Sequence, residues 1–218
     1  MCFSTTASFL AGVSLSAFGI ATLKKTTRKN EVPFAAIPVL FGIQQIIEGL
    51  LWLSFRGAMP SLNIEMTYAF SLFSHVLWPI FVPFSVFALE RSAWRKKVIF
   101  VFQLIGFSVG LYLLYVIVRF PVVSEVKTNI VYVSPHFFKI PVMMLYLMAT
   151  GVVPLFSSQK IVNLFGAMAL VLFIVAYWFY SVALFSVWCF FSALLSFVIY
   201  LYFEFGKEID TRRRGHCK

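Results

Sequence analysis

The chain has 218 residues, of which 61% are hydrophobic, 19% aromatic and only 12% charged, with a mean hydropathy of +0.92. A water-soluble domain carries charge at about a quarter of its positions, so the composition excludes one and requires an integral membrane protein. The net charge of +10, from 18 Lys and Arg against 8 Asp and Glu, is then an orientation signal and a contact with anionic membrane lipids, and nucleic acid is set aside as a partner.

A spanning helix takes about 20 apolar residues. The charge-poor stretches predict seven, over 5–23, 33–55, 66–89, 98–118, 138–156, 161–179 and 183–203. The first is not a cleaved signal peptide, because Lys24, Lys25, Arg28 and Lys29 follow its apolar run rather than precede it. Ser8, Gly12 and Ser16 stand four apart on it, as do Gly106 and Gly110 on span four, and small residues at that spacing let helices pack closely in lipid. The last two spans share one uncharged run between Lys160 and Glu204. At about 1.5 Å per residue that run is twice the hydrocarbon thickness, so it turns back, and the interfacial aromatics put the turn at Tyr177 to Ser181.

With seven spans, the basic clusters after spans one, three (Arg91, Arg95, Lys96, Lys97) and five (Lys160) join those of the tail on one side. Arg56, Arg119, Lys127 and Lys139 are left for the other. The N-terminus is therefore expected outside and the C-terminus in the cytoplasm of a cell inner membrane. The expected organisation is an all-α seven-helix transmembrane domain over 1–203 and a basic tail over 204–218, whose Arg212, Arg213 and Arg214 face anionic headgroups.

Candidate chemistry follows the few polar groups placed inside spans. Glu48 is the acidic residue well inside one, where a carboxylate must be paired, protonated or wet. Gln44, Gln45 and Trp52 share its helical face. On span three His75 precedes Pro79 by four residues, and a proline cannot donate to the carbonyl at 75, so a kink with an open acceptor is expected there. Pro83 repeats the lesion one turn later. Span five opens with Pro135, His136 and Lys139 and carries Tyr146, Thr150 and Pro154 inside, and span seven carries Trp188 and Cys189. The cysteines at 2, 189 and 217 are too scattered for a disulfide framework or a paired zinc motif. A metal, if one is held, would draw on Cys2, Glu48, His75, His136 and Cys189, although no two of these share ligand spacing.

The opening Met1-Cys2-Phe3-Ser4 with Ala7-Ser8-Phe9 carries a resemblance, extended by Phe41-Gly42 with Gln44, Gln45, Glu48 and Trp52, by Trp78-Pro79, by Ala149-Thr150 with Pro154 and Ser157-Ser158, and by Trp188-Cys189. The chain resembles an uncharacterised bacterial family of multi-pass membrane proteins opening with a Met-Cys-Phe-Ser-x-x-Ala-Ser-Phe motif. The likeness covers nearly the whole chain, with Thr5 in place of the usual Ala, and it brings no established activity.

The expectation from the residues is an outward-facing polar cavity lined by spans two, three, five and seven. Its ligand-binding groups would be Glu48, Gln44, Gln45, Trp52, His75, His136, Lys139, Tyr146 and Cys189. Binding or transport of a small molecule or lipid asks least of such a cavity. The alternative is a membrane-embedded enzyme, a metal-dependent hydrolase among the options, using Glu48 and His75.

Overall fold

The computed structural model describes residues 4–126, 129–134, 140–179 and 184–206. Ser4 caps the first helix, α1 (Thr5–Lys24), its hydroxyl accepting from the Ala7 N–H at 3.3 Å. The buried face of α1 holds small residues such as Ser8, Gly12 and Gly19, while Leu10 and Val13 are exposed. That reverses the soluble pattern and suits a helix in hydrocarbon, where close backbone approach rather than apolar burial drives association.

A short 3-10 turn at Lys29–Glu31 leads into α2 (Val32–Arg56), which runs antiparallel against α1. A methyl group on Gly12 would come within 3.1 Å of the Gly42 carbonyl oxygen and 2.7 Å of Ile46, so the two backbones nearly touch. The corner after α2 turns through Ala58, at φ 48, into α3 (Pro60–Ser71). A π-helical turn over Leu72–Leu77 continues that helix into α4 (Trp78–Leu89). Next come α5 (Ala93–Arg119), an antiparallel hairpin of β1 (Val123–Val126) and β2 (Ile130–Val133), and α6 (Ile140–Leu147). A π turn at Met148–Val152 and a 3-10 turn at Val153–Phe156 extend α6, and α7 (Lys160–Phe179) and α8 (Leu184–Leu201) follow.

Among the described residues, five helical stretches are long and apolar enough to cross a membrane: Thr5–Lys24, Lys29–Arg56, Pro60–Leu89, Ala93–Arg119 and Lys160–Phe179. Two shorter apolar ones run over Ile140–Phe156 and Ala193–Glu204. The third stretch starts six residues before the expected boundary, because Pro60 opens a helix as readily as an apolar residue does. The α5 helix also starts early, so Arg95, Lys96 and Lys97 lie on its first turns rather than in a loop. The turn placed at Tyr177 to Ser181 falls partly on residues 180–183, outside the described residues, and α7 ends at Phe179.

The chain segments meet at two ends. At the basic end, the Lys25 ammonium lies 2.7 Å from the Glu204 carboxylate, joining the ends of α1 and α8. Arg95 on α5 donates to the carbonyls of Phe156 and Ser157. At the opposite end the hairpin docks on α3, where the Thr67 and Ser124 hydroxyls are 2.7 Å apart and Ser124 donates to the side-chain Oδ1 of Asn63 at 3.2 Å. Asn63 in turn donates to the Ser54 hydroxyl at the end of α2.

Candidate functional site

Gln44, Gln45 and Glu48 are fully buried, and Trp52 nearly so. The Gln44 side-chain oxygen accepts from the Trp78 indole N–H at 2.7 Å, and the Trp78 ring stacks on Phe41 at 3.9 Å. These contacts set α2 antiparallel to the α3–α4 helix in a register that brings Glu48 level with Ser74 and His75, one turn toward the hairpin end. On the other flank of α2, Gly49, which has no Cβ, lies against Phe9. That puts the buried Thr5 and Ser8 of α1 at the depth of Gly49 and Trp52.

His75 lies in the π turn, and proline is the cause of that turn. The Trp78 N–H bonds to the Phe73 carbonyl, five residues back. The shift takes this donor away from Ser74, and Pro79, next in line, has no N–H to offer. The Tyr146 hydroxyl, from α6, donates to the abandoned Ser74 carbonyl in a short hydrogen bond. The Ser74 hydroxyl and His75 Nδ1 are 2.6 Å apart. The same device recurs on the sixth helix, where Val153 bonds back to Met148 just ahead of Pro154 and the Thr150 hydroxyl donates to the Tyr146 carbonyl.

Among the described residues, several polar atoms on and near α2 are buried without a hydrogen-bond partner. They are both amide atoms of Gln45, Nε2 of Gln44, Nε1 of Trp52 and the hydroxyls of Thr5 and Ser8. Each such atom costs about 1–3 kcal/mol when left unsatisfied, so these atoms on and against α2 are a net cost to stability. Above them Trp52 packs with Leu51, Phe70, Ile130 and Tyr132. The Phe70 and Tyr132 rings stack at 4.4 Å, so the hairpin covers this end with aromatic surface.

Beside Gln44, between α2, α4, α6, α7 and α8, lies a small cavity of about 30 Å³. Its walls include Phe41, Trp78, Tyr146, Phe165 and Trp188. The lining is aromatic where the residues led us to expect a polar one. Its polar atoms turn away, since the Trp188 indole donates to the Ala169 carbonyl at 3.1 Å and the Trp78 indole to Gln44.

The structure thus buries Gln44 against Trp78, places Glu48 one helical turn further along α2, joins Tyr146 to the π turn that holds His75, and puts Trp52 in the aromatic cover. His136, Lys139 and Cys2 lie outside the described residues, as does the side chain of Cys189. Among the described residues, no three His, Cys, Asp or Glu side chains come together as a metal would need. Sequence reasoning missed Trp78 and Ser74 as partners of the site, and also the hairpin. The run Val122, Val123, Val126 and Ile130, Val131, Val133, broken by Asn129, is a strand–turn–strand signal that would have found it.

The model of a family of unknown function, DUF6629, matches residues 1–214. The chain belongs to that family. No curated protein and no solved structure is detectably similar to it. The match to DUF6629 takes in both ends of the bundle, including a second buried polar group at the basic end.

That group is Glu90, which is 1% exposed at the corner between α4 and α5. Its Oε1 accepts from the backbone N–H groups of Arg91 and Ser92, at 2.9 and 2.8 Å, and its Oε2 accepts from Ser158 at 2.6 Å. Burial pushes this carboxyl up, but hydrogen bonds from Ser92, Ser158 and Ser157 outweigh it and hold the group below the usual carboxylate value. Glu90 therefore holds the backbone of the turn just ahead of α5 and ties it to the loop before α7. Every oxygen it carries is used structurally.

Proposed function

We propose that this protein binds a small amphiphilic molecule within the membrane, as a seven-span protein of a bacterial inner membrane with its N-terminus outside. The observation that carries the reading is the Gln45 amide, fully buried with neither its oxygen nor its nitrogen partnered among the described residues. A buried amide of this kind calls for a group that both donates and accepts. Gln44 stands beside it with a spare N–H, while its oxygen holds Trp78, a wall of the aromatic cavity. A ligand with a hydroxyl, amide or carboxyl end against Gln44 and Gln45 and an apolar end toward Trp78 and Tyr146 satisfies both. Binding asks for these groups alone, whereas hydrolysis needs a nucleophile, an activated water or a metal.

The basic loops meeting at one end support the orientation, since such loops stay on the cytoplasmic side. The test is solvent extraction of the purified protein followed by mass spectrometry. Wild-type protein is expected to release a small molecule in stoichiometric amount, and Gln45→Leu to release little of it. Equal release from both, or release from neither, overturns the reading. Labelling of Cys2 and Cys217 from opposite faces of intact cells and inverted vesicles is the result expected of an odd number of spans, and labelling from one face overturns it.

A further inference from the structure

The lipid-facing surface carries a feature separate from the buried polar flank. Helices α5 and α6 splay apart to leave an open groove of about 380 Å³, lined by Val101, Leu104, Ser108 and Tyr112 on one side and Val142 and Leu145 on the other. From Val101 to Tyr112 is about 16 Å along α5 at 1.5 Å per residue. That is half of a hydrocarbon core about 30 Å thick, the reach of one leaflet.

The groove is continuous with a charged rim. Trp94, Lys97, Val101, Leu104 and Ser108 follow one another at alternate steps of three and four, so they form one stripe on α5. Trp94 is 58% exposed and Lys97 is exposed beside it, at the basic end of the helix. The two neighbouring cations are engaged elsewhere. Arg95 donates to the Phe156 and Ser157 carbonyls, and the Lys96 ammonium lies 5.0 Å from the centre of the Phe87 ring. Lys97 has no such contact among the described residues, and it stands one helical turn beyond the groove's mouth.

We propose that this groove is a binding site for an anionic phospholipid of the leaflet at the basic end. One acyl chain lies along α5 against Val142 and Leu145, and the headgroup phosphate rests on Lys97 with Trp94 at the polar boundary. An aromatic and a lysine at the headgroup level with a one-leaflet apolar channel behind them match the two ends of a phospholipid rather than a soluble anion.

Native mass spectrometry of the detergent-purified full chain tests it, with phosphatidylglycerol and phosphatidylcholine of identical acyl chains added in equal amounts. Phosphatidylglycerol is expected to be retained about fivefold over phosphatidylcholine, the scale of one basic residue at an anionic surface. Lys97→Gln should abolish that preference, and Leu104→Trp, which fills the groove from an exposed position, should lower retention of both lipids. Lys29→Gln, in a different basic loop, should leave the preference unchanged. Equal retention of the two lipids, an unchanged preference in Lys97→Gln, an equal loss in Lys29→Gln, or a protein dimer that excludes lipid from this face would each overturn the site.

Discussion

Glu90 at the basic end is as deeply buried as Gln45 in the hairpin half, yet each Glu90 oxygen accepts at least one hydrogen bond and neither Gln45 amide atom has any among the described residues. Both groups were withdrawn from water, at a cost that is larger for the ionised Glu90 carboxylate than for the neutral Gln45 amide. At the basic end the chain meets that cost internally, with backbone donors from two corners. In the hairpin half it is left outstanding, which is the pattern of a site built for something other than stability.

Between the two regions, α4 and α5 touch at Gly106, where a Cβ would sit 1.9 Å from the Pro79 carbonyl oxygen. Pro83 has removed the helical donor for that carbonyl, so the backbone there must stay close to its neighbour. Gly106→Val should push α5 away from α4, which packs on the helix carrying Gln45, costing about 3 kcal/mol by overpacking. Thermal unfolding in detergent reads the loss, and an unchanged midpoint would mean that the two regions are not mechanically joined at this point.

The next largest effect concerns the satisfied side. Glu90→Gln should cost about 2 kcal/mol at neutral pH by losing charge-assisted hydrogen bonds. Because the folded carboxyl titrates below its ordinary value of 4.5, its contribution is fully present above 4.5 and is lost as the pH falls through the lower folded value. The wild-type melting temperature should therefore drop in that acid window, with a smaller drop in Glu90→Gln. Parallel pH curves for the two proteins would remove Glu90 as the satisfied counterpart.

A smaller loss, about 1–2 kcal/mol, is expected of Tyr146→Phe, which strands the Ser74 carbonyl in the π turn. Full stability in that variant would show that Ser74 finds another donor. The smallest effect has the opposite sign. Gln45→Met replaces an amide with no partner among the described residues by an apolar chain of similar length and should stabilise the ligand-free protein by about 1 kcal/mol, read as a higher midpoint. A destabilised Gln45→Met would mean that the amide is satisfied after all, and the contrast between the two ends would collapse.

Much of the architecture was legible along the chain. The α1 and α2 helices fall within a residue or two of the stretches read from hydropathy, and α7 likewise. Spanning length is a local property, set by how many apolar residues occur in a row. Pro79 also announced a disturbed helix beside His75, because the missing N–H is written in the residue itself. The type of disturbance was not announced, since a π turn depends on whether a donor such as Tyr146 can reach the carbonyl it leaves open.

Glu48, Gln44 and Gln45 could be picked out as costly groups on one face of one helix, and composition alone required them to be buried. Which of them was satisfied could not be read in the same way. Gln44 meets Trp78 across 34 positions of sequence and Ser124 meets Thr67 across 57, and such pairings depend on how helices cross rather than on any local period. The sequence by itself thus determined that the chain lives in a membrane, where its helices run and which polar residues are expensive. Only the tertiary structure decided that Glu90 is satisfied and Gln45 is not, because hydrogen-bond satisfaction is a property of neighbours brought together by folding.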